Sequence, residues 1–221
     1  MKKRSIPSGI LLVLLLLLGI GILLYPSISQ WVNKLNGSHA VQQLTQQVEA
    51  QSPETLLRHL EMAQVYNAIL QGKSGDCPYA YEDILDFGNG IMGSIEIPAI
   101  GITLPIYHGV SDTVLAKGVG HISDSSFPIG GKGNHAVLTG HTGLPSAELF
   151  TGLDQLAVGD LFYIHILGQT LTYRICSIQT VLPEQTEHLA LDPEEDLCTL
   201  VTCTPYGINS HRLLVQGQRA N

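Results

Sequence analysis

Residues 197–219 read LCTLVTCTPYGINSHRLLVQGQR. Two runs of β-branched and aliphatic residues, LCTLVTC and RLLVQGQR, flank a stretch of Pro, Gly, Asn and Ser that no regular element tolerates, so the segment predicts two strands joined by a loop. Cys203 ends the first strand and Arg212 opens the second. The same pattern recurs upstream in IMGSIEIP (91–98), ITLPIYHG (102–109), HAVLTGH (135–141), DLFYIHIL (160–167) and TLTYRICSIQTVL (170–182). Gly168-Gln169 predicts the turn of a hairpin between the last two. The run SAELFTGLDQL (146–156) is the one short helical stretch among them. About eight strands with so little helix predict a mainly β fold, a closed β-barrel over residues 91–221, and not an alternating βαβ sheet.

Before the strands the chain changes character. Residues 6–25, IPSGILLVLLLLLGIGILLY, carry no charge. Twenty residues at about 1.5 Å each span roughly 30 Å, the thickness of a bilayer's hydrocarbon core. Lys2, Lys3 and Arg4 precede them, so the positive-inside rule makes residues 1–5 a cytoplasmic tail, 6–25 a single transmembrane signal anchor, and the remainder extracellular. The competing reading is a cleaved secretory signal, whose apolar region is normally about 7–15 residues and ends at a small-x-small site. Ser27-Ile28-Ser29 is a poor version of such a site, and no cysteine follows before Cys77 to make a lipoprotein.

Residues 26–72 predict a helical stalk. Ala40, Val41, Leu44 and Val48 recur at helical spacing, as do Leu56, Leu57, Leu60, Ala63, Ile69 and Leu70. Ser52-Pro53-Glu54 reads as an N-cap followed by proline at the first helical position of a second helix. Such a stalk raises the domain off the membrane or packs against it. Residues 73–90, KSGDCPYAYEDILDFGNG, mix turn residues with aromatics and acids and read as a loop.

Hydrophobic residues make up 44% of the 221-residue chain and charged ones 14%, largely because of the anchor. Past Pro26, eight Lys and Arg face all 19 Asp and Glu, a formal balance of −11. Such a surface repels phosphate backbones and argues against nucleic-acid binding. Four cysteines are too few for a disulfide-rich scaffold of this size.

Taken singly, the polar residues at strand ends have ordinary readings. A strand cysteine is most often a small buried hydrophobe, one of nine histidines is readily satisfied in a turn, and a surface arginine is usually solvated. Together Cys203, His141 and Arg212 form a coherent set. Acyl transfer by cysteine needs a thiolate, a group that protonates the leaving amine, and positive charge where the oxyanion develops. Histidine titrates near neutrality and suits the second task, while arginine stays charged and offers fixed N–H donors for the third. Strand ends on one barrel rim bring such residues together although 62 positions separate His141 from Cys203.

The stretch TLVTCTPYGINSHRLLV (199–215) resembles the signature of the sortase family, a Thr-Leu-x-Thr-Cys strand followed by an arginine. LTGHTGLPSA (138–147) is similar to the family's histidine segment, and Ile97-Pro98, LPIYHG (104–109) and GVGH (118–121) are similar to its barrel elements. The resemblance runs from about Tyr66 to Arg219, and Cys-Thr-Pro-Tyr with Asn-Ser-His-Arg is most similar to class C, the pilin-polymerising sortases. It implies an eight-stranded barrel and a two-step transfer. Cys203 would attack the Thr–Gly bond of a Leu-Pro-x-Thr-Gly-like sorting signal, and a pilin lysine would resolve the thioester to an isopeptide. It implies no metal and no organic cofactor. The alternatives are a wall-anchoring sortase that uses a cell-wall amine, another cysteine peptidase or cross-linker of the wall, and a non-catalytic anchored β-domain.

The chain departs from the class C pattern in two places. Class C members usually carry an Asp-Pro-aromatic lid, whose acid meets the arginine while the ring covers the cysteine. Here the nearest match is Asp76-Cys77-Pro78-Tyr79, with one residue inserted, so Asp76 and Tyr79 are lid candidates expected not to reach Arg212 and Cys203 together. Many members also carry a C-terminal membrane helix. The sequence stops at Asn221, which leaves one anchor or a truncated chain.

Other polar groups are assigned structural roles. His108, His121, His135 and His211 form no zinc pattern. The acids Glu184, Glu187, Asp192, Glu194, Glu195 and Asp196 predict a solvated loop, with calcium the minority alternative. Cys176 and Cys198 lie on strands that neighbour one another in some arrangements, leaving a disulfide or two buried thiols open.

Overall fold

A computed structural model describes residues 8–73, 75–142 and 149–220. Eight strands close into a barrel: β1 (Ile91–Ile97), β2 (Ile102–His108), β3 (Val119–His121), β4 (Asn134–Thr139), β5 (Leu161–Ile166), β6 (Gln169–Val181), β7 (Asp196–Thr204) and β8 (His211–Arg219). The strand order around the barrel is β1-β2-β3-β4-β7-β8-β6-β5. β2–β3 and β4–β7 pair in parallel, the rest antiparallel.

Period-2 alternation fills the barrel. Ala136, Leu138, Phe162, Ile164, Tyr173, Ile175, Cys198, Leu200, Leu213 and Val215 belong to one interior cluster. Val137, Val181, Val201 and Leu214, the intervening positions on β4, β6, β7 and β8, form a second cluster on the outer face, capped by Ile122 and Leu189.

Seven of the eight strands lie where the hydrophobic runs predict them. β3 has no such run. It is three residues long, too short for alternation to show, and is specified by glycine instead. A Cβ on Gly118 would sit 2.6 Å from the Pro105 carbonyl oxygen and one on Gly120 2.4 Å from that of Gly109, so only glycine lets this segment lie against β2. The β5–β6 turn is one residue earlier than expected. Leu167 (φ 51°) and Gly168 (φ 73°) are its central pair, both in the left-handed region that a two-residue type I′ hairpin requires. Of the short stretch read as helical, residues 146–148 lie outside the described residues, and the rest holds a single 3-10 turn, Leu153–Gln155.

α1 (Ser8–Glu49) joins the apolar segment and the first half of the stalk in one 42-residue helix that passes through Pro26. A proline removes one backbone bond, and helix-forming residues on both sides sustain the helix. It is the one described helix long and apolar enough to cross a membrane. Its polar half lies along the barrel and does not lift it away: Leu44 and Val48 are buried with Ile91 and pack against Phe87 and Tyr107.

α2 (Pro53–Leu70) begins at the expected cap, with the Ser52 hydroxyl accepting from the Thr55 amide at 3.1 Å. Buried Asn67 pins it to the barrel, donating to the Phe127 carbonyl (3.1 Å) and accepting from the Phe127 amide (2.7 Å). The segment after α2 is irregular but tied to the core. Ile84 and Leu85 are fully buried.

His121 is fully buried on β3. Its Nε2–H donates to the Ser126 carbonyl (2.9 Å), which leaves Nδ1 as acceptor for the Tyr81 hydroxyl (2.9 Å). Burial pushes this imidazole down to about 4, against about 6.5 in the unfolded chain. Between those values the unfolded chain binds more protons. The contribution is therefore whole above pH 6.5 and is lost as pH falls towards 4, by on the order of 3 kcal/mol. Urea midpoints should drop across this window, and His121→Gln should flatten the slope. A slope unchanged in His121→Gln would assign the acid sensitivity elsewhere.

Candidate active site

The strand register gathers the three candidate residues at one barrel end. On the β7–β8 ladder Cys203 is the direct partner of Arg212. The turn between them is built by Pro205, whose carbonyl accepts from the Ile208 and Asn209 amides (3.0 and 2.9 Å). Gly207 and Asn209 take φ of 75° and 59°, a conformation those two residue types adopt with little strain.

On the other side of β7, parallel β4 places Thr139 opposite Val201. The backbone remains clamped one residue further: the Gly140 amide donates to the Val201 carbonyl (3.1 Å) and its carbonyl accepts from the Thr202 hydroxyl (2.7 Å). His141 therefore follows Gly140 as Cys203 follows Thr202. A Cβ on Gly140 would lie 2.8 Å from the Phe150 ring, so no other residue fits there without displacing the ring. The Phe150 amide donates to the His141 carbonyl (3.0 Å), fixing the strand end from a third direction.

Cys203, His141 and Arg212 are all half-buried. Cys203 shares the outer strand face with Val201, so it stands at the end of the outer apolar strip. Arg212 donates from Nη1 to the carbonyls of Asn209 (3.2 Å) and His211 (3.0 Å), which aims the guanidinium along the loop and leaves other N–H groups of its fork available. Tyr206 and Ile208, exposed by 69% and 71%, lie on the loop between Cys203 and Arg212. A thiol, an imidazole and a guanidinium on adjoining strand ends can together carry out acyl transfer through a thioester.

The lid candidates are not brought to this cluster. Asp76 is exposed and has no ion pair among the described residues. Cys77 and Tyr79 pack against the barrel core with Tyr66, Tyr81 and Phe87. The Tyr81 hydroxyl accepts from the Gly109 amide (3.1 Å), so the segment is held at β2–β3.

The remaining cysteines are free thiols. Cys176 and Cys198 are not neighbours, because β8 lies between β6 and β7. Cys198 points into the barrel, where burial pushes its thiol well up. Cys176 is exposed at the β6 bulge opposite Ser177/Gln216, so the pair is neither a disulfide nor two buried thiols.

In the acidic loop Asp196 departs from the solvated reading. It begins β7, accepts from the Tyr173 hydroxyl (2.9 Å) and the Gly131 amide (2.7 Å), and burial raises its carboxyl. Among the described residues no group of acids, His or Cys converges as a metal site. His135 is structural, bonded to Thr199 Oγ1 (2.7 Å) and the Ala190 carbonyl (2.9 Å) near the start of the β4–β7 ladder. Thr202, Gly140 and Phe150 are the positioning residues that the linear pattern did not single out. The Thr-Gly-His and Thr-Leu-x-Thr-Cys orders carried a signal for Gly140 and Thr202, and none for Phe150.

A closed eight-stranded barrel with Cys, His and Arg on one rim defines a class of cysteine transpeptidase fold. The Sortase domain model matches residues 95–220, and the chain belongs to the sortase family. Sortase A of Streptococcus agalactiae serotype III is 34% identical over 117 residues, 52% of this chain and 47% of that protein. The chain thus spans about half the length of that curated relative. Solved sortases C are similar over nearly their whole length. Sortase C1 of Streptococcus agalactiae has a TM-score of 0.78 at 39% identity, covering 83% of this chain and 98% of that one. Sortase C of Streptococcus pneumoniae, whose structure was interpreted in terms of pilin substrate specificity, has a TM-score of 0.76 at 40% identity, covering 83% and 97%.

Proposed function

We propose that the chain is a membrane-anchored sortase of class C type that joins a sorting signal to an amine, with a pilin lysine as acceptor. The observation that carries this is the register: Cys203 is paired with Arg212 while the Gly140–Thr202 clamp sets His141 beside the same strand end. Residues 6–25 anchor it, with residues 1–5 cytoplasmic and the barrel outside the cell. In the first step the Cys203 thiolate adds to the threonine carbonyl of a Leu-Pro-x-Thr-Gly-like signal, Arg212 takes the oxyanion, and His141 protonates the departing glycine amine as the C–N bond breaks. In the second the lysine amine adds to the thioester, gives up its proton to His141, and expels the thiolate. The class C assignment rests on the likeness to sortases C; a cell-wall amine is the alternative acceptor.

In this reading the resting site is open, because Asp76 and Tyr79 do not close over it. One assay tests both points. Alkylation of Cys203 should be slowed by a sorting peptide, which a non-catalytic β-domain would not bind. Replacing residues 74–80 by a flexible linker, which keeps Tyr81 and its bonds to Gly109 and His121, should leave the rate nearly unchanged. A large acceleration in the linker variant would mean that the segment works as a lid.

A further inference from the structure

The register assigns each strand end to one of two barrel ends. The catalytic end carries the C-termini of β4 and β7 and the N-terminus of β8. Through the β3–β4, β2–β3 and β1–β2 ladders it also carries the N-termini of β3 and β2 and the β1–β2 turn at Pro98–Ile100. α1 passes these two ends in a fixed sequence. Its residues Gln30, Lys34 and Ser38 flank Gly101–Leu104 at the catalytic end. Further along, Gln47 accepts from the Asn89 side chain (3.0 Å), and Val48 faces the Gly168 hairpin at the opposite end. The apolar stretch of the same continuous helix precedes all of these contacts. The catalytic end is therefore the one nearer the bilayer.

The height of that end is set by α1. Tyr25 and Trp31, exposed by 61% and 65%, are the aromatic residues at the end of the apolar stretch, and such rings settle at the membrane–water interface. Lys34 follows Trp31 by about 5 Å along the helix, which puts it among the lipid headgroups. Between this turn of α1 and the barrel rim lies a cleft of about 130 Å³, lined by Lys34 and Lys117 with Gln30, Ser38, Thr103 and Leu149. No carboxylate lines it. Both lysines are exposed and have no ion pair among the described residues. Two of only eight cations beyond Pro26, in a segment of net charge −11, thus converge at headgroup height. Leu149 connects the cleft to the site, since its neighbour Phe150 holds the His141 carbonyl.

We infer that this cleft seats the phosphate of an anionic lipid, and that the catalytic rim works against the outer membrane surface. The inference rests on the anchor proposed above. Basic side chains at this depth are drawn to an anionic leaflet, and the attraction fades within a Debye length of about 10 Å, so it acts on the rim and not on the far end. A sorting signal would then reach Cys203 along the bilayer surface.

The test uses the full chain in vesicles with a quencher attached at headgroup depth. Trp31 is the sole tryptophan, so native fluorescence reports the anchor itself. In a Trp31→Phe background, Ala99→Trp marks the catalytic rim and Gln169→Trp the far end, both at exposed positions. With phosphatidylglycerol present, quenching of Ala99→Trp should exceed that of Gln169→Trp at least twofold. The excess should shrink in pure phosphatidylcholine and in Lys34→Glu/Lys117→Glu. If native Trp31 is not quenched, the anchor reading fails. If Trp31 is quenched but Ala99→Trp and Gln169→Trp respond alike, the rim orientation is wrong and the anchor stands. An excess indifferent to lipid charge and to the two reversals overturns the headgroup site.

Discussion

Cys203→Ala will abolish transfer while leaving the barrel folded. The thiol is half-buried on the outer strand face, so removing its sulfur opens no cavity in the interior cluster, and strand pairing with Arg212 uses backbone groups only. No other cysteine can substitute: Cys198 is sealed inside the barrel, Cys176 sits on β6, and Cys77 packs with the segment held at β2–β3. Only a sulfur at this strand end forms the thioester. Mass spectrometry of the trapped intermediate should find the substrate fragment on Cys203 alone, and the product formed with a pilin should carry an isopeptide to a lysine. Transfer by Cys203→Ala would sink the mechanism. An adduct resolved only by a wall amine would move the chain to the alternative acceptor.

Arg212→Lys will keep the charge and lose about 10²–10³ in rate, the usual loss for one oxyanion donor. The structure gives the reason. Nη1 is committed to the Asn209 and His211 carbonyls, and that pair of bonds fixes the direction of the planar fork on the strand residue paired with Cys203. An ammonium on a flexible stem that donates to the same two carbonyls has no second nitrogen to present to an oxyanion. Single-turnover rates of thioester formation should show the defect with substrate binding little changed. A variant nearly as fast as the native chain would reduce Arg212 to a source of general positive charge. His141→Ala should be at least as damaging, because the leaving amine then departs unprotonated.

Strands with an alternating apolar pattern were legible because one face of each must leave water. That holds for β7 and β8, where Leu200 and Val215 point in while Cys203 and Arg212 sit at the ends. β3 was hidden because its specification is steric: Gly118 and Gly120 permit backbone approach and carry no apolar signal. The hairpin turn at Leu167–Gly168 was displaced by one because a leucine at φ 51° has no local signature. The long reach of α1 was hidden too, since Pro26 reads as a break in isolation while packing and flanking residues carry the helix through it.

By itself the sequence determined the barrel, the apolar segment, the second-helix cap and the identity of the three rim residues, all of which follow from periodicity, spacing or motif within a few tens of residues. Strand order belonged to the tertiary structure. It separated Cys176 from Cys198 by inserting β8, and it set parallel β4 against β7 so that Gly140 and Thr202 lock two distant chain segments. It also drew Asp196 out of the acidic loop to Tyr173, while the packing of α1 turned the rim that carries Cys203, His141 and Arg212 towards the apolar stretch. Each of these depends on which backbone edges meet after closure, and edge pairing is a long-range choice that local pattern does not encode.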